Sequence, residues 1–337
     1  MTESNKYAIV FAGQGAQKPG MGKSLYDASP AARAVFEQAG DQIKYDCFEA
    51  DAERLKQTEV TQPAVYTMDM AAYAALRESL RIDEGNFPEP SGVAGFSLGE
   101  YAAFTAAGTI DSIKTGLSLV KKRSLFMKAA GLNEDGSQRG AMAAGIGNQD
   151  AVIELVEKAR GDGILEAVNF NSPGQTVVAG DILTVERFVA LAGSDRGFGV
   201  KAIPLPVSGA FHSPIMRPAA EELEKELENY SFSEPVIPVY LNATGGSFKD
   251  YDKDGSDMDA NMKTKAIMVR QIQSPVYWQK TIEAMAAAGI GIIIEVGPGK
   301  TLTGLIKKIA PEVTALHVED AESLAETAER VRESMAG

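Results

Sequence analysis

One serine stands in a setting that could support nucleophilic chemistry. Residues 95–99, GFSLG, have the G-x-S-x-G spacing of a nucleophile elbow, in which glycines allow a tight turn between a strand and a helix. A serine hydroxyl is a weak nucleophile, so Ser97 would need a base for its proton and donors for the developing oxyanion. The helix after the turn would point free N–H groups at the site, which makes the backbone N–H of Leu98 a natural donor. The alternative is an ordinary serine in a glycine-rich turn.

The base for such a serine must be one of only two histidines. Imidazole is the usual choice because its pKa lies near neutrality. His317 lies in VTALHVED, which predicts a late strand, whereas His212 lies in VSGAFHSPIM, a loop that enters a helix. Catalytic groups are more common on loops held by a rigid scaffold, so the pattern favours His212. The alternative for His212 is a histidine at a helix start, bonded to backbone.

Composition narrows the class of protein. The chain has 337 residues, with 45% hydrophobic and 23% charged residues, which is typical of soluble globular proteins. A formal net charge of −13 disfavours a general nucleic-acid binder. The single cysteine, Cys47, allows no intrachain disulfide, and so few cysteines and histidines disfavour a zinc site. With no leader-like N-terminus and no run of about 20 apolar residues, we expect a cytoplasmic protein that does not enter the membrane. We also expect that it needs no metal and no cofactor.

The elements around the serine predict an α/β fold. Apolar runs ending in glycine predict buried strands, and longer stretches with helical periodicity predict helices between them. Asp111 is the expected N-cap of a long helix. The predicted strands are 7–13, 91–96, 236–245 and 290–299; the predicted helices are 24–40, 62–80, 97–108, 111–130, 214–230, 258–271, 275–288, 301–310 and 322–335, with a polar loop over 246–257. This alternation favours a mostly parallel sheet.

An inserted subdomain is predicted between these elements. After the polar, glycine-rich stretch 131–140, the order strand, helix, strand, strand, helix, strand follows, which is that of a ferredoxin-like unit. We therefore expect a small subdomain over 140–206 and a large α/β catalytic domain formed by 1–139 and 207–337.

Two glycine-rich stretches are not nucleotide-binding motifs. EVGPGKTL has Ile294 where a phosphate-binding P-loop needs its first glycine. AGQGAQKPG has Lys18 where the dinucleotide-binding fingerprint needs its third glycine. Turns between strands and helices explain these glycines better.

Several stretches together resemble the acyltransferase family of fatty acid and polyketide synthesis, and within it the malonyl-CoA:acyl-carrier-protein transacylases. In chain order they are FAGQGAQ, GFSLGEYAA, RSLFMKAA, VNFNSPGQTVVAG, GAFHSPIM, VRQIQSPVYW and EVGPGKTLTGL, over about residues 7–310. The resemblance implies an α/β-hydrolase-like large domain with an inserted ferredoxin-like subdomain. It also implies ping-pong chemistry, in which Ser97 takes the malonyl group from malonyl-CoA, with His212 as base, and passes it to the phosphopantetheine thiol of acyl carrier protein.

The resemblance extends to the surroundings of this pair. Gln14 matches the family's second oxyanion donor, through its backbone N–H, and Gln271 matches the residue whose backbone carbonyl orients the histidine. From the residues alone, Gln14 is only a residue after a strand, and Gln271 is a polar residue near a helix end.

Substrate-binding residues are implied in the same way. Arg123 matches the residue that binds the malonyl carboxylate, as a guanidinium can with two parallel hydrogen bonds. The residues alone indicate a solvated helix arginine, and only the resemblance selects Arg123 over Arg217 or Arg270. Asn169 and Asn171 match the subdomain wall that faces the cleft, although turn-forming asparagine is an equal alternative.

Two phenylalanines bear on the acyl pocket. GAFH resembles the pattern of malonyl-selecting domains, which implies that Phe211 narrows the pocket beside the acyl group. Phe96 departs from the family, which usually has histidine there. Because Phe96 would not be the base, the reaction should survive, but any polar contact behind the elbow is lost. We expect Phe96 to pack against the apolar scaffold beneath the turn.

Partners and competing functions complete the prediction. Malonyl-CoA and an acidic acyl carrier protein are the implied partners of a monomer, with docking by basic residues near the motifs: Lys121, Lys122, Lys201, Arg217, Lys300, Lys307 and Lys308. A polyketide acyltransferase is an open alternative. A Ser-Asp hydrolase is disfavoured because no Asp-Gly pair here has the D-G-G or D-G-A form, and a non-catalytic scaffold is disfavoured by the presence of both Ser97 and His212.

Overall fold

The computed structural model describes residues 6–194, 196–207, 209–251 and 257–336, so the loop predicted over 246–257 lies partly outside the described residues. The strands are β1 Tyr7–Phe11, β2 Gly92–Gly95, β3 Gly140–Ile146, β4 Leu165–Ser172, β5 Gln175–Asp181, β6 Lys201–Pro204, β7 Val239–Tyr240, β8 Ile292–Val296 and β9 Thr314–Val318. The helices are α1 Lys23–Ala28, α2 Pro30–Ala39, α3 Asp41–Phe48, α4 Thr58–Leu80, α5 Gly99–Ala106, α6 Ile113–Ala130, α7 Gln149–Arg160, α8 Ile182–Ser194, α9 Arg217–Leu227, α10 Ala260–Ile272, α11 Trp278–Ala287, α12 Thr301–Ile309 and α13 Ala321–Ala336. None of these helices is long and apolar enough to cross a membrane.

The larger sheet is parallel, as the alternation of strands and helices predicts. Its strand order is β7-β2-β1-β8-β9, and every pairing in it is parallel. All five residues of β1 are buried, and so are all five of β8, which fits short apolar strands covered on both faces. Phe11 is in register with Gly95 on one side and with Val296 on the other. The loops that follow β1, β2 and β8 therefore leave the same edge of the sheet.

The smaller sheet is antiparallel and comes from the predicted insertion. Its order is β4-β5-β3-β6, and α7 and α8 pack against it through a separate apolar cluster that includes Val152, Leu155 and Phe188. This order and chain path are those of a ferredoxin-like unit, so the predicted fold class is confirmed. The domain limits at 139/140 and 206/207 remain predictions.

A short backbone link joins the small sheet to the segment after α10. The N–H of Phe170 donates to the carbonyl of Val276 at 2.9 Å, and the N–H of Val276 donates to the carbonyl of Val168 at 2.8 Å. The ring of Phe170 stacks on that of Tyr277, with centroids 5.1 Å apart. β4 is thereby held against the segment that follows α10.

Three elements differ from their predicted bounds because local hydrogen bonds or backbone conformation end or begin them elsewhere. The helix predicted over 24–40 is two helices, because Ser29 is extended before Pro30 and its Oγ caps α2 by accepting from the N–H of Ala32 at 3.1 Å. Asp111 is not the N-cap of α6: the Oγ of Ser112 accepts from the N–H of Thr115 at 3.1 Å.

The strand predicted over 236–245 is also much shorter. β7 has only two residues, because the N–H of Leu241 turns to the carbonyl of Gly246 at 2.8 Å instead of to a neighbouring strand. The residues after β7 therefore form a turn at the same edge of the sheet as the serine elbow.

Candidate active site

The turn between β2 and α5 has the strained geometry of a nucleophile elbow. Ser97 has φ of 51°, in the left-handed region that residues other than glycine rarely adopt. A Cβ on Gly95 would lie 1.9 Å from the carbonyl carbon of Gly99, and a Cβ on Gly99 would lie 2.4 Å from the carbonyl oxygen of Phe11. Only glycine fits at both positions, which is the physical reason for the G-x-S-x-G spacing in this chain.

His212 faces this serine. Its Nε2 lies 2.8 Å from the Oγ of Ser97, and its Nδ1 lies 2.9 Å from the carbonyl oxygen of Gln271 and 3.2 Å from that of Ser274. Because carbonyls only accept, Nδ1 carries the proton, and the lone pair of Nε2 points at the serine hydroxyl. The other histidine, His317, lies in β9, with Nε2 3.9 Å from a carboxylate oxygen of Glu319.

The environment of His212 favours the neutral imidazole. Burial, together with the positive charge of Arg123, lowers the pKa of His212 to about 4. At neutral pH the ring is therefore unprotonated at Nε2 and able to accept a proton from Ser97.

Arg123 lies behind the serine and is almost fully buried, with 1% of its surface exposed. Its Nη2 donates to the Oγ of Ser97 at 3.1 Å and to Oε1 of Gln271 at 3.2 Å, and its Nη1 donates to Oε1 of Gln62 at 2.8 Å. Among the described residues, Nε has no hydrogen-bond partner and the guanidinium forms no ion pair with a carboxylate. Arg123 is thus a buried cation beside the nucleophile with unused donor capacity.

Two backbone N–H groups near Ser97 have no acceptor within the described part of the chain, those of Leu98 and Gln14. Gln14 follows β1, and the loop that carries it presses on the elbow, since a Cβ on Gly13 would lie 2.5 Å from the carbonyl oxygen of Phe96. The side chain of Gln14 is held by Thr58 and Gln62, at 3.2 Å each. Both N–H groups are therefore available to donate to an oxyanion formed at Ser97.

A cavity of about 250 Å³ opens over the serine between the two sheets. Of the residues predicted for the site, the lining includes Gln14, Ser97, Asn169, Asn171, Phe211 and His212. Leu98, Arg123 and Gln271 are not among the lining residues, although all three adjoin Ser97. Much of the remaining wall is apolar, with Met127, Met142, Val177, Leu205 and Val207. The cavity suits a narrow acyl chain whose reactive carbon sits at Ser97.

Phe96 packs against the apolar scaffold and also faces the cavity. Its ring meets that of Trp278 edge-on, with centroids 5.4 Å apart, inside an apolar cluster beneath the sheet edge. Phe96 also lines the cavity, next to the nucleophile. It is therefore part of the pocket wall as well as of the scaffold.

Three buried polar residues of the site were not identified from the sequence. Gln62, on α4, lines the cavity and bonds to Arg123; Asn242, after β7, accepts from the N–H of Ser97 with its Oδ1 at 2.6 Å. Burial raises the pKa of Glu100, on α5, to about 7. Glu100 follows Ser97 by three residues, within GFSLGE, so its place in the sequence was a signal that it belongs to the site. Gln62 and Asn242 are far from Ser97 in sequence and gave no such signal.

Comparison with known proteins places this geometry in a family. The family model described as "Acyl transferase domain" matches residues 8–331. A relative named malonyl CoA-acyl carrier protein transacylase, from Haemophilus influenzae, is 38% identical over 328 residues, covering 94% of this chain and 96% of the relative.

Solved structures give the same result. A malonyl CoA-acyl carrier protein transacylase from Clostridium perfringens superposes with a TM-score of 0.85 at 36% identity, covering 98% of each chain. A malonyl-transacylase in complex with a type II PKS acyl-carrier protein superposes with a TM-score of 0.83 at 34% identity, covering 96% of this chain and 99% of that one. The chain belongs to the acyltransferase family, with malonyl CoA-acyl carrier protein transacylases among its relatives.

Proposed function

We propose that this chain is a malonyl-CoA:acyl-carrier-protein transacylase that works through a malonyl ester on Ser97. The observation that carries the proposal is the contact between the Oγ of Ser97 and Nε2 of His212, at 2.8 Å, at the base of a cavity between the two sheets. The relatives and structural neighbours are named for this transfer, and one neighbour is a complex with a carrier protein.

The first half-reaction acylates the serine. The thioester carbonyl of malonyl-CoA lies over Ser97, and Nε2 of His212 takes the hydroxyl proton as Oγ attacks the carbonyl carbon. The oxyanion is stabilised by the N–H groups of Leu98 and Gln14, for which the described part of the chain offers no acceptor. The carbonyl of Gln271 holds Nδ1–H and stabilises the imidazolium that forms. Collapse breaks the carbon–sulfur bond, and coenzyme A leaves as a thiol with the proton from His212.

The second half-reaction reverses these roles with a different thiol. The phosphopantetheine thiol of the carrier protein gives its proton to Nε2 of His212 and attacks the ester carbonyl. The same donors hold the second oxyanion, and the oxygen of Ser97 leaves with the proton that His212 returns. Ser97 and His212 need no acidic third member, because the backbone carbonyls that accept from Nδ1 orient the ring.

Recognition of the malonyl carboxylate falls to Arg123. Within the described residues the guanidinium has no carboxylate partner, and its Nη2 already reaches the Oγ of Ser97, the atom that will carry the acyl group. A carboxylate two carbons beyond the ester carbonyl would form the charge-assisted bonds that this cation lacks. Asn169, Asn171 and Phe211, which line the cavity, would fix the path of the chain.

A steady-state transfer assay tests the proposal. Holo carrier protein is incubated with isotope-labelled malonyl-CoA and the wild-type chain, Ser97→Ala or His212→Ala. The proposal predicts labelled carrier only with the wild type and loss of transfer by about 10³-fold or more in both variants. Transfer by Ser97→Ala at the wild-type rate would refute it.

The pathway served is a separate question, because structural neighbours include a complex with a type II PKS carrier. We infer a role in fatty acid synthesis, with polyketide synthesis as the alternative. Competition between carrier proteins of the two pathways decides: a higher kcat/KM for the fatty acid carrier supports the inference, and the reverse preference contradicts it. Cytoplasmic location, a monomeric state and independence from cofactors remain predictions from the sequence.

A further inference from the structure

Asn242 occupies a position in which every polar group is used. It is completely buried after β7. Its N–H donates to Oε1 of Glu100 at 2.7 Å, and its carbonyl accepts from the N–H of Tyr277 at 2.8 Å. Its side-chain Oδ1 accepts from the N–H of Ser97 at 2.6 Å, and Nδ2 donates to the carbonyl of Gly95 at 2.6 Å. A flipped amide would set donor against donor and acceptor against acceptor, so only one orientation satisfies this site.

These bonds act on the one residue of the elbow that is strained. The left-handed conformation of Ser97 is strained and persists only where the surroundings enforce it. Oδ1 of Asn242 holds its N–H, and Nε2 of Gln271 holds its carbonyl at 2.6 Å. The N–H bond fixes the peptide before Ser97, and the carbonyl bond fixes the peptide after it, whose N–H belongs to the oxyanion donor Leu98.

Glu100 anchors Asn242 to the helix behind the elbow. Its side chain is buried on the first turn of α5, and its Oε1 accepts from the backbone N–H of Asn242 at 2.7 Å. The titratable and charged groups around this network include Glu100, Tyr101, Arg123 and His212. Glu100 therefore ties the helix behind the elbow to Asn242, the residue that holds the N–H of Ser97.

We propose that Asn242, anchored by Glu100, is a positioning residue that keeps Ser97 in the conformation from which its Oγ reaches His212 and Leu98 N–H faces the oxyanion. The proposal rests on the proposed role of Ser97 as nucleophile. Asn242 is not itself among the residues that line the cavity, so it acts on the acylation step and not on substrate binding. Misplacement of a reacting group by about 1 Å can cost about 100-fold in rate.

The test measures the burst of coenzyme A release in a stopped-flow experiment over a range of malonyl-CoA concentrations. For Asn242→Ala we expect the maximal acylation rate constant to fall about 100-fold and the half-saturating concentration to stay within about twofold. The matched control is Asn261→Ala, which removes an Oδ1 that accepts from a distant backbone N–H, that of Phe232 at 3.0 Å, away from the elbow. The control should lose stability and keep its acylation rate.

The Asn242→Asp variant tests the positioning role of Asn242 even if the alanine variant does not fold. The aspartate keeps an oxygen that can accept from the N–H of Ser97, but its second oxygen faces the carbonyl oxygen of Gly95. Only the protonated acid can donate a hydrogen bond to that carbonyl. Burial raises the pKa of such an acid. Its acylation rate relative to wild type should therefore rise as the pH falls from about 8 to about 5.5. His212 stays neutral in this range because its pKa is about 4, and the ratio to wild type corrects for the titration of Glu100, whose pKa is about 7.

The outcomes separate the two proposals. A wild-type chain that forms no ester at Ser97 refutes the proposed function. A wild type that acylates, with Asn242→Ala equally fast or altered only in half-saturating concentration, overturns the positioning role. A flat or falling ratio for Asn242→Asp overturns it too.

Discussion

Arg123→Ala is expected to slow malonyl transfer far more than acetyl transfer. In the free enzyme the guanidinium is buried and unpaired with any carboxylate among the described residues, and its Nη2 lies 3.1 Å from the atom that carries the acyl group. The malonyl carboxylate would complete a desolvated charge pair there.

The magnitude follows from the cost of breaking such a pair. Removal of one partner of a buried ion pair costs about 3–5 kcal/mol. At about 1.4 kcal/mol per tenfold, malonyl acylation should fall by about two to three and a half orders of magnitude. The variant also removes the hydrogen bonds to Gln62 and Gln271, at 2.8 and 3.2 Å, which support the site whichever acyl group is bound. Acetyl transfer reports that structural part of the loss, because an acetyl group has no carboxylate.

The assay measures acylation rate constants with malonyl-CoA and acetyl-CoA for the wild type, Arg123→Ala and the control Arg270→Ala. Arg270 is exposed, as is Arg217, so the control should leave both rates near wild type. Malonyl acylation that survives within a few-fold of wild type refutes the assignment of Arg123. Equal losses with both substrates would mean that Arg123 supports the site and does not select the acyl group.

Three further expectations concern other parts of the account. Phe96→His should keep transfer within a few-fold and lose about 1 kcal/mol of stability with the ring contact to Trp278, measured by thermal unfolding; a large gain in rate would show that an imidazole there matters. Because burial lowers the pKa of His212 to about 4, protonation of the base should abolish single-turnover acylation only as the pH approaches 4. A partial change near pH 7 would report Glu100, whose pKa is about 7, whereas a complete loss centred near 6.5 would contradict the neutral buried ring. Three exposed lysines lie on or just before α12, which lines the cavity: Lys300, Lys307 and Lys308. Discharge onto an acidic carrier should therefore slow as salt rises, and a rate that stays flat from low to high salt removes them as a docking surface.

Much of the fold was predictable because it depends on short-range patterns. Buried apolar runs mark β1 and β8, and the order of elements in the insertion is enough to indicate its topology. The predictions are wrong where a single side chain determines the residue at which a helix begins. Ser29 divides a helix that the periodicity continues through, and Ser112 caps a helix for which its neighbour Asp111 is an equally good residue type. Neighbouring cap candidates compete through backbone geometry, which the sequence does not display.

The site was predictable in part for a different reason. Glycines forced by close backbone contact at the elbow leave a local signature around Ser97, and two histidines leave few choices of base. Arg123 came from family resemblance alone, since helical periodicity does not distinguish a buried arginine from a solvated one. Asn242 carries no local signal, because its partner Ser97 is 145 residues away and meets it only through the pairing of β7 with β2.

Time-resolved intact mass measurement tests the central claim most directly. The chain is mixed with malonyl-CoA, quenched at successive times, and then exposed to holo carrier protein. We expect one malonyl adduct on the peptide that contains Ser97, formed and discharged at least as fast as overall transfer, and absent from Ser97→Ala. Transfer that proceeds with no adduct on Ser97, or with an adduct that the carrier does not discharge, would contradict the account.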